Sequence, residues 1–208
     1  MNLSKGQAIA ETLVQVTGGK SHIILCGRNK TAADKQCDAT LMSNVRNTTS
    51  SLVERLPKLN YLVLSPGFVS LKGRDETSEG IDRKLALNYY ARWKFIYDLM
   101  PLLEKAKERG EDARVLTVLS SGTGYGLKAA ADSATAMNDF MVEDFAAQYP
   151  DIAFVHAHPG LVRTPSFHWS IRLFAPIIYL MSVSPADCAQ WMLNGLLDPK
   201  FAKGPSFM

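Results

Sequence analysis

Several polar side chains in the sequence are of the types that enzymes use as nucleophiles, bases or metal ligands. Ser120 and Ser121, together with a histidine, could form the nucleophile and base of a hydrolase, but the Gly-x-Ser-x-Gly motif that exposes such a serine is absent. His156 and His158 alternate as metal ligands sometimes do, yet no acidic or cysteine residue stands at a useful spacing from them. The sequence therefore predicts neither a hydrolase nor a metal site.

Tyr125 and Lys128 offer a different chemistry, which is proton transfer. A tyrosine phenol has a pKa of about 10, so it is a poor general acid or base at neutral pH unless a nearby group lowers that pKa. Lys128 follows Tyr125 by three residues, and the tyrosine stands between Gly124 and Gly126. Two interpretations are open at this point, a catalytic pair and a surface loop.

Short apolar segments alternate along the chain with segments of helical periodicity. The sequence predicts strands at 22–26, 61–64, 115–119 and 152–156. It predicts three helices capped at their amino ends by Ser4, Ser43 and Ser184, and two more over 80–109 and 135–148. Apolar strands separated by helices are typical of a parallel sheet covered on both faces. Because right-handed crossovers bring the carboxyl ends of such strands to one edge, we expect the functional site there.

The composition limits the class of protein. With 208 residues, of which 47% are hydrophobic, the chain suits one domain over 1–208. The 23 basic and 20 acidic residues nearly balance and form no basic run, which argues against a nucleic-acid partner. Three widely spaced cysteines are typical of reduced thiols in the cytoplasm. The longest apolar stretch, 173–183, is too short for a transmembrane segment and has no basic flanking face, which favours a flap over a pocket rather than a membrane contact.

Short motifs occur in the chain in an order typical of one family. They are SKGQAIAE at 4–11, CGRN at 26–29, CDAT at 37–40, LSPG at 64–67, TVLSSG at 117–122 and PGLVRT at 159–164. Asn88 also precedes Pro101 by 13 residues. Together these motifs resemble the short-chain dehydrogenase/reductase family, specifically its divergent fungal members. The resemblance covers nearly the whole chain and implies an α/β Rossmann-like fold that binds a nicotinamide dinucleotide.

The resemblance implies which residues line the cofactor. Gly6 stands at the last glycine of the turn that receives the pyrophosphate, and Gly67 is all that remains of the family's Asn-Asn-Ala-Gly motif. Arg28 is expected to bind the 2′-phosphate, so NADP is expected in preference to NAD. The other residues that the resemblance places beside the cofactor are Asn29, Asp38, Pro159, Gly160 and Thr164. Arg28 as an ordinary surface residue, and Asp38 as a turn or helix cap, are alternatives.

The resemblance also implies a catalytic group. Asn88 and a serine, Ser120 or Ser121, would organise the proton relay and polarise the substrate beside a tyrosine–lysine pair. The family's pair has the spacing YxxxK, which does not occur between Ser121 and Pro159, and Tyr125 with Lys128 is the nearest substitute there. The alternative is a non-catalytic nucleotide-binding or interaction protein that uses the same scaffold.

The sequence predicts a smaller sheet than the family has, with the first strand and part of the third missing. Only residues 30–36 separate Asn29 from Cys37, too few for the usual helix and strand. We therefore expect the strand at 22–26 to pair directly with the strand at 61–64. The segment 203–208 resembles a shortened last strand.

The expected function is that of an NADP-dependent oxidoreductase in fungal secondary metabolism. It would reduce a carbonyl or oxidise an alcohol on a hydrophobic small molecule. Segment 165–183 is expected to form the substrate flap, with Trp169, Ile171 and Phe174 as its apolar lining. By analogy with the family, a homodimer would form through the helix that contains Asn88 and the helix that follows it. A methyltransferase on a similar sheet is disfavoured, because it has no use for the segment that begins at Pro159.

Overall fold

A computed structural model of the chain describes residues 5–28, 33–67, 73–119, 128–160, 162 and 182–208, with the backbone alone for 5 and 128–134. The helices are α1 (Lys5–Val16), α2 (Met42–Arg55), α3 (Arg83–Leu85), α4 (Ala91–Glu108), α5 (Lys128–Gln148) and α6 (Pro185–Leu197). A π-helical turn at Ala86–Tyr90 joins α3 to α4, and a 3-10 turn at Pro199–Phe201 follows α6. The strands are β1 (Cys26–Gly27), β2 (Lys35–Gln36), β3 (Tyr61–Leu64), β4 (Arg114–Val118), β5 (Ala153–Ala157) and β6 (Gly204–Phe207).

The main sheet has the order β3-β4-β5-β6, and all of its strands are parallel. Its two faces are covered by different helices. One apolar cluster joins α2, α4 and α5 to the sheet, and the other joins α1 and α6 to it. Because helices cover both faces of the sheet, the strands β4 and β5 are buried along their whole length. The predicted α/β Rossmann-like architecture is confirmed.

The predicted pairing of the Cys26 strand with the Leu64 strand is wrong. β1 pairs in parallel with β2 instead, and the two form a separate two-stranded sheet. The residues between β1 and β2 are enough to bring the two short strands side by side. A backbone hydrogen bond shows this pairing, because Lys35 N donates to Leu25 O at 3.0 Å. The Asp34 side chain also accepts a hydrogen bond from Leu25 N at 2.7 Å. The third strand is therefore present in a two-residue form, although no helix precedes it in the described part of this connection.

The long helix predicted over 80–109 begins later and is not uniform. Asp82 is its N-cap, because its carboxylate accepts hydrogen bonds from Lys84 N at 2.9 Å and Leu85 N at 3.3 Å. One turn later the backbone widens into the π-helical turn at Ala86–Tyr90, which is centred on Asn88. Such turns are rare and occur frequently at functional sites.

Two predicted caps had different outcomes. Ser184 caps α6 as predicted, because its Oγ accepts from Asp187 N at 3.1 Å and Pro185 follows in the first helical position. Ser43 does not cap α2, so that prediction is wrong. Glu79 does so from a distant segment, and its carboxylate accepts from Met42 N at 2.6 Å and from Ser43 N at 3.0 Å. These hydrogen bonds, with one more from the Ser43 hydroxyl, lower the pKa of Glu79.

Of the helices described, none combines the length and the apolar character needed to cross a bilayer.

Candidate functional site

The carboxyl ends of β3, β4 and β5 meet at one edge of the sheet, where the sequence predicted the site. Two contacts tie the segments that follow β4 and β5 together. Leu119 N donates to Ala157 O at 3.2 Å, and a ring nitrogen of His158 lies 3.2 Å from Leu119 O. The residues that immediately precede Ser120 and Pro159 are thus held side by side at this edge. In open parallel sheets, ligands bind outside this edge.

Two of the predicted cofactor residues, Gly6 and Gly67, approach this edge closely. A Cβ atom on Gly6, in the first turn of α1, would lie 3.4 Å from Ser65 Oγ. A Cβ atom on Gly67 would lie 3.8 Å from Asn88 Oδ1. The structure therefore brings the start of α1, the end of β3 and Asn88 together. The amino terminus of a helix at such an edge favours a phosphate group, because its backbone N–H groups and dipole both attract an anion.

Asn88 is half-buried and lies in the middle of the π-helical turn. Its backbone oxygen accepts a hydrogen bond from Asn138 Nδ2 at 3.0 Å. Asn138, on α5, is fully buried, and its Oδ1 accepts from Trp93 Nε1 at 2.9 Å. One side chain of α5 therefore holds both a carbonyl of the π-helical turn and an indole of α4. This arrangement fixes where the Asn88 side chain leaves the helix.

Arg92, one turn beyond Asn88, is completely buried beneath the same edge. Its guanidinium donates to Leu64 O, Pro66 O, Thr117 Oγ1 and Val118 O, at the ends of β3 and β4. Burial lowers its pKa to about 9, so the group still carries a positive charge at neutral pH. The sequence analysis missed Arg92. The helical periodicity of the sequence could have indicated a buried arginine, because residue 92 falls on the apolar stripe formed by Tyr89, Ile96 and Leu99.

His156 on β5 forms a second buried polar contact on this side of the sheet. Its Nδ1 lies 2.5 Å from a carboxylate oxygen of Asp139 on α5. Burial is the largest single influence on the His156 pKa and lowers it, while the hydrogen bond and the charge of the Asp139 carboxylate raise it. The net pKa is lowered, so the neutral imidazole is favoured. His156 also lies opposite Thr117 in the register of β4 and β5, which places it near Arg92.

The remaining described cofactor candidates lie nearer the rim. Arg28 is exposed just after β1, where a phosphate could reach it. Asp38 makes a local turn, since its Oδ1 accepts from Thr40 N at 3.1 Å and from Thr40 Oγ1 at 2.8 Å. Pro159 is buried, and Gly160 has a φ of 62°, which L-residues with a side chain rarely adopt.

Several predicted site residues lie outside the described residues. These are Asn29, Ser120, Ser121, Tyr125 and Thr164, together with the side chain of Lys128. The predicted flap at 165–183 also lies outside them, except for its last two residues. Val183, the last residue of this segment, forms a parallel bridge with Val162, which stands three residues before the segment begins.

The chain matches no protein-family model. Curated relatives exist among fungal oxidoreductases. The chain is 34% identical over 142 residues to "Oxidoreductase AN1596" of Emericella nidulans, a match that covers 62% of this chain and 41% of that protein. It is 26% identical over 171 residues to "Short-chain dehydrogenase/reductase SAT2" of Stachybotrys chartarum, covering 69% of this chain and 48% of the relative. The chain thus spans less than half the length of these two relatives.

Solved structures of similar fold cover nearly the whole chain. The RhlG/NADP active-site complex of Pseudomonas aeruginosa superposes with a TM-score of 0.72 at 19% identity, covering 98% of this chain and 90% of the other. The 3-ketoacyl-(acyl-carrier-protein) reductase of Brucella melitensis complexed with NADH gives 0.68 at 16% identity, covering 98% and 90%. At these identities the likeness establishes the fold, and it agrees with the parallel sheet described above.

Proposed function

Since the chain is a divergent relative of the short-chain dehydrogenase/reductases, we propose that it is an oxidoreductase that uses a nicotinamide dinucleotide, NADP in preference to NAD. It reduces a carbonyl or oxidises an alcohol on a hydrophobic small molecule. One observation carries the proposal, which is the convergence of Gly6, Gly67 and Asn88 at the carboxyl edge of the sheet. Its similarity to proteins named as oxidoreductases and as short-chain dehydrogenase/reductases supports the proposal.

The residues at this edge fit a dinucleotide. Gly6, in the first turn of α1, lies beside Ser65, so the amino terminus of the helix would stand next to a phosphate bound at this edge. Arg28, exposed after β1, would bind a 2′-phosphate with its planar guanidinium, and Asn29 and Asp38 would lie along the adenosine. Pro159, Gly160 and Thr164 would line the nicotinamide end. When bound, the dinucleotide would supply or accept the hydride.

The chain's own residues would handle the substrate oxygen and the proton. We place Ser120 at the substrate oxygen, because β4 leads directly to it, with Ser121 as the alternative. Asn88, held by the π-helical turn, would orient the proton relay. Tyr125 with Lys128 would supply the proton, the lysine lowering the pKa of the phenol.

Segment 165–183 would close over the substrate, and its apolar composition fits a hydrophobic molecule. The bridge between Val162 and Val183 supports this placement, because it holds the last residue of the segment beside the chain that follows Pro159 and Gly160. The proposal includes a single domain over 1–208, action in the cytoplasm, and a role in fungal secondary metabolism, a setting suggested by the fungal relatives.

A homodimer through α4 and α5 is also proposed. Tyr97 and Phe140, on these two helices, have 69% and 70% of their surface exposed. A groove of about 510 Å³ lies between the helices and is lined mainly by apolar and aromatic side chains, among them Tyr89, Trp93 and Phe145. Large exposed aromatic side chains on adjacent helices are typical of an interface.

A second candidate function is nucleotide binding without catalysis. The absence of YxxxK between Ser121 and Pro159, where the family's pair would fall, favours it, because no lysine stands four residues after a tyrosine in that segment. The two functions share the cofactor site and differ in turnover.

The test is a fluorescence titration of the purified protein with NADPH and, separately, NADH. We expect saturable binding that prefers NADPH, and an NADPH affinity about ten-fold lower in Arg28→Ala, because a charged contact to the 2′-phosphate is lost. NADH affinity should hardly change. Arg109→Ala, which removes an exposed arginine at the far end of α4, is the matched control.

The outcomes separate the candidates. Folded protein that binds neither nucleotide at millimolar concentration contradicts both functions. Binding followed by turnover of a hydrophobic ketone, abolished in Tyr125→Phe, supports the oxidoreductase. Binding without turnover across such ketones and the corresponding alcohols supports the non-catalytic candidate.

A further inference from the structure

The four hydrogen bonds of Arg92 form two bridges between neighbouring strands. One terminal nitrogen, Nη1, donates to Leu64 O on β3 at 3.1 Å and to Thr117 Oγ1 on β4 at 2.5 Å. The other, Nη2, donates to Pro66 O after β3 and to Val118 O at the end of β4 at 2.8 Å. Each terminal nitrogen of the guanidinium (each prong) therefore joins β3 to β4, and the two do so at successive positions (levels) along the strands.

These bridges lie where the ladder between β3 and β4 stops. The last pair in the register is Leu64 with Thr117. Pro66 has no backbone N–H, so its nitrogen cannot take part in a continued ladder. The bridge from Pro66 to Val118 thus extends the connection between the strands beyond the point that backbone pairing reaches. It does so immediately before Gly67 and two residues before Ser120.

The burial of this cation is unfavourable by itself. Arg92 is 0% exposed, its Nε has no partner, and within the described residues no carboxylate lies within 4.0 Å of the guanidinium. A buried charge without a counterion is tolerated when fixed polar groups surround it, and here they are four oxygens at one edge of the sheet. An apolar residue at position 92 would fill the same stripe without that penalty, so general packing does not explain the arginine.

We propose that Arg92 is a positioning residue that sets the separation between the segments after β3 and β4. It thereby sets the width of the crevice into which the nicotinamide end of the dinucleotide enters. The inference rests on the function proposed above. Two prongs are required because two levels are bridged, and a lysine, with a single nitrogen, can hold only one of them.

The test compares Arg92→Lys and Arg92→Met with the same changes at Arg114. Arg114 is also buried, at 3% exposure, but it stands at the opposite end of β4, where it donates to Asp198 O and to the Asp112 carboxylate. Three quantities are measured on the full chain. They are the dissociation constant of NADPH, the midpoint of thermal unfolding, and the rate of amide hydrogen exchange in peptides that contain 64–67 and 117–119.

We expect Arg92→Lys to weaken NADPH binding by about ten-fold, the effect of losing one charged hydrogen bond. Exchange should become faster in both peptides. Arg114→Lys should lower the unfolding midpoint while leaving the dissociation constant within about two-fold of the wild type, because its contacts are remote from the crevice. If Arg92→Met fails to fold, Arg92→Lys still decides the question.

Unchanged NADPH binding and unchanged exchange in Arg92→Lys would overturn the proposal. An equal loss of binding in Arg114→Lys would also overturn it, because the effect would then be general destabilisation. If the wild type binds no nucleotide, the proposed function fails, and the exchange rates still decide about Arg92. Faster exchange confined to the two peptides supports the role in fixing them, and an unchanged rate overturns it.

Discussion

Asn138 offers a direct test of how the π-helical turn is held. The Asn138→Ala change would remove two hydrogen bonds, the one that the indole N–H of Trp93 donates and the one that the backbone oxygen of Asn88 accepts. Asn138 is 0% exposed, so water cannot easily replace its side chain. An unsatisfied buried polar group costs about 1–3 kcal/mol. We therefore expect the free energy of unfolding to fall by roughly 2–5 kcal/mol.

The assay is urea unfolding followed by tryptophan fluorescence, with Asn194→Ala as the matched control. Asn194 is an exposed asparagine on α6, so its replacement should change stability by less than about 0.5 kcal/mol. Asn138→Asp adds a second measurement. It keeps an acceptor for Trp93 but sets a carboxylate against the Asn88 oxygen, so its deficit should shrink as the pH falls and the carboxyl becomes a donor. A loss in Asn138→Ala no larger than in the control would refute this account of the π-helical turn.

Two further predictions concern pH and assembly. Because burial lowers the pKa of His156 below its usual 6.5, stability should be complete above about pH 6.5 and should fall as the pH drops through the lower folded pKa. His156→Gln should reduce this acid loss in urea unfolding compared at about pH 7.5 and about pH 5, and an identical loss in both proteins would contradict it. Tyr97→Glu should convert a dimer to a monomer in sedimentation, whereas Trp191→Glu, at a similarly exposed aromatic on α6, should not. A monomeric wild type would contradict the dimer.

The main sheet could be predicted because its signals are local. The strand predicted at 61–64 has the same bounds as β3, and those predicted at 115–119 and 152–156 are each displaced by one residue from β4 and β5. Apolar runs of this length, separated by helices, have few alternatives to a buried parallel sheet. The cap at Ser184 was predictable for the same reason, because all of its parts lie within four residues.

The wrong predictions share a dependence on distant partners. The cap of α2 comes from Glu79, 36 residues away from Ser43, and no local pattern announces it. The prediction for β1 assumed that the seven residues 30–36 were too few to include a strand. β2 lies within them and pairs with β1, so the number of residues alone led to the wrong pairing. The predicted long helix missed the π-helical turn for a similar reason, since Asn138 holds it from another helix.

Three buried polar side chains among the described residues bear on where the site is. Arg92, Asn138 and His156 all lie near the carboxyl ends of the strands, on the side covered by α4 and α5. Burying each of these polar side chains costs free energy, and the hydrogen bonds that each one forms fix the position of the groups it contacts. A scaffold optimised for stability alone would fill these positions with apolar side chains. Arg114 is buried at the opposite end of β4, so burial alone does not mark the site. The hydrogen bonds of Arg92 to Pro66 O and Val118 O, and of Asn138 to Asn88 O, support fixed geometry at the carboxyl edge.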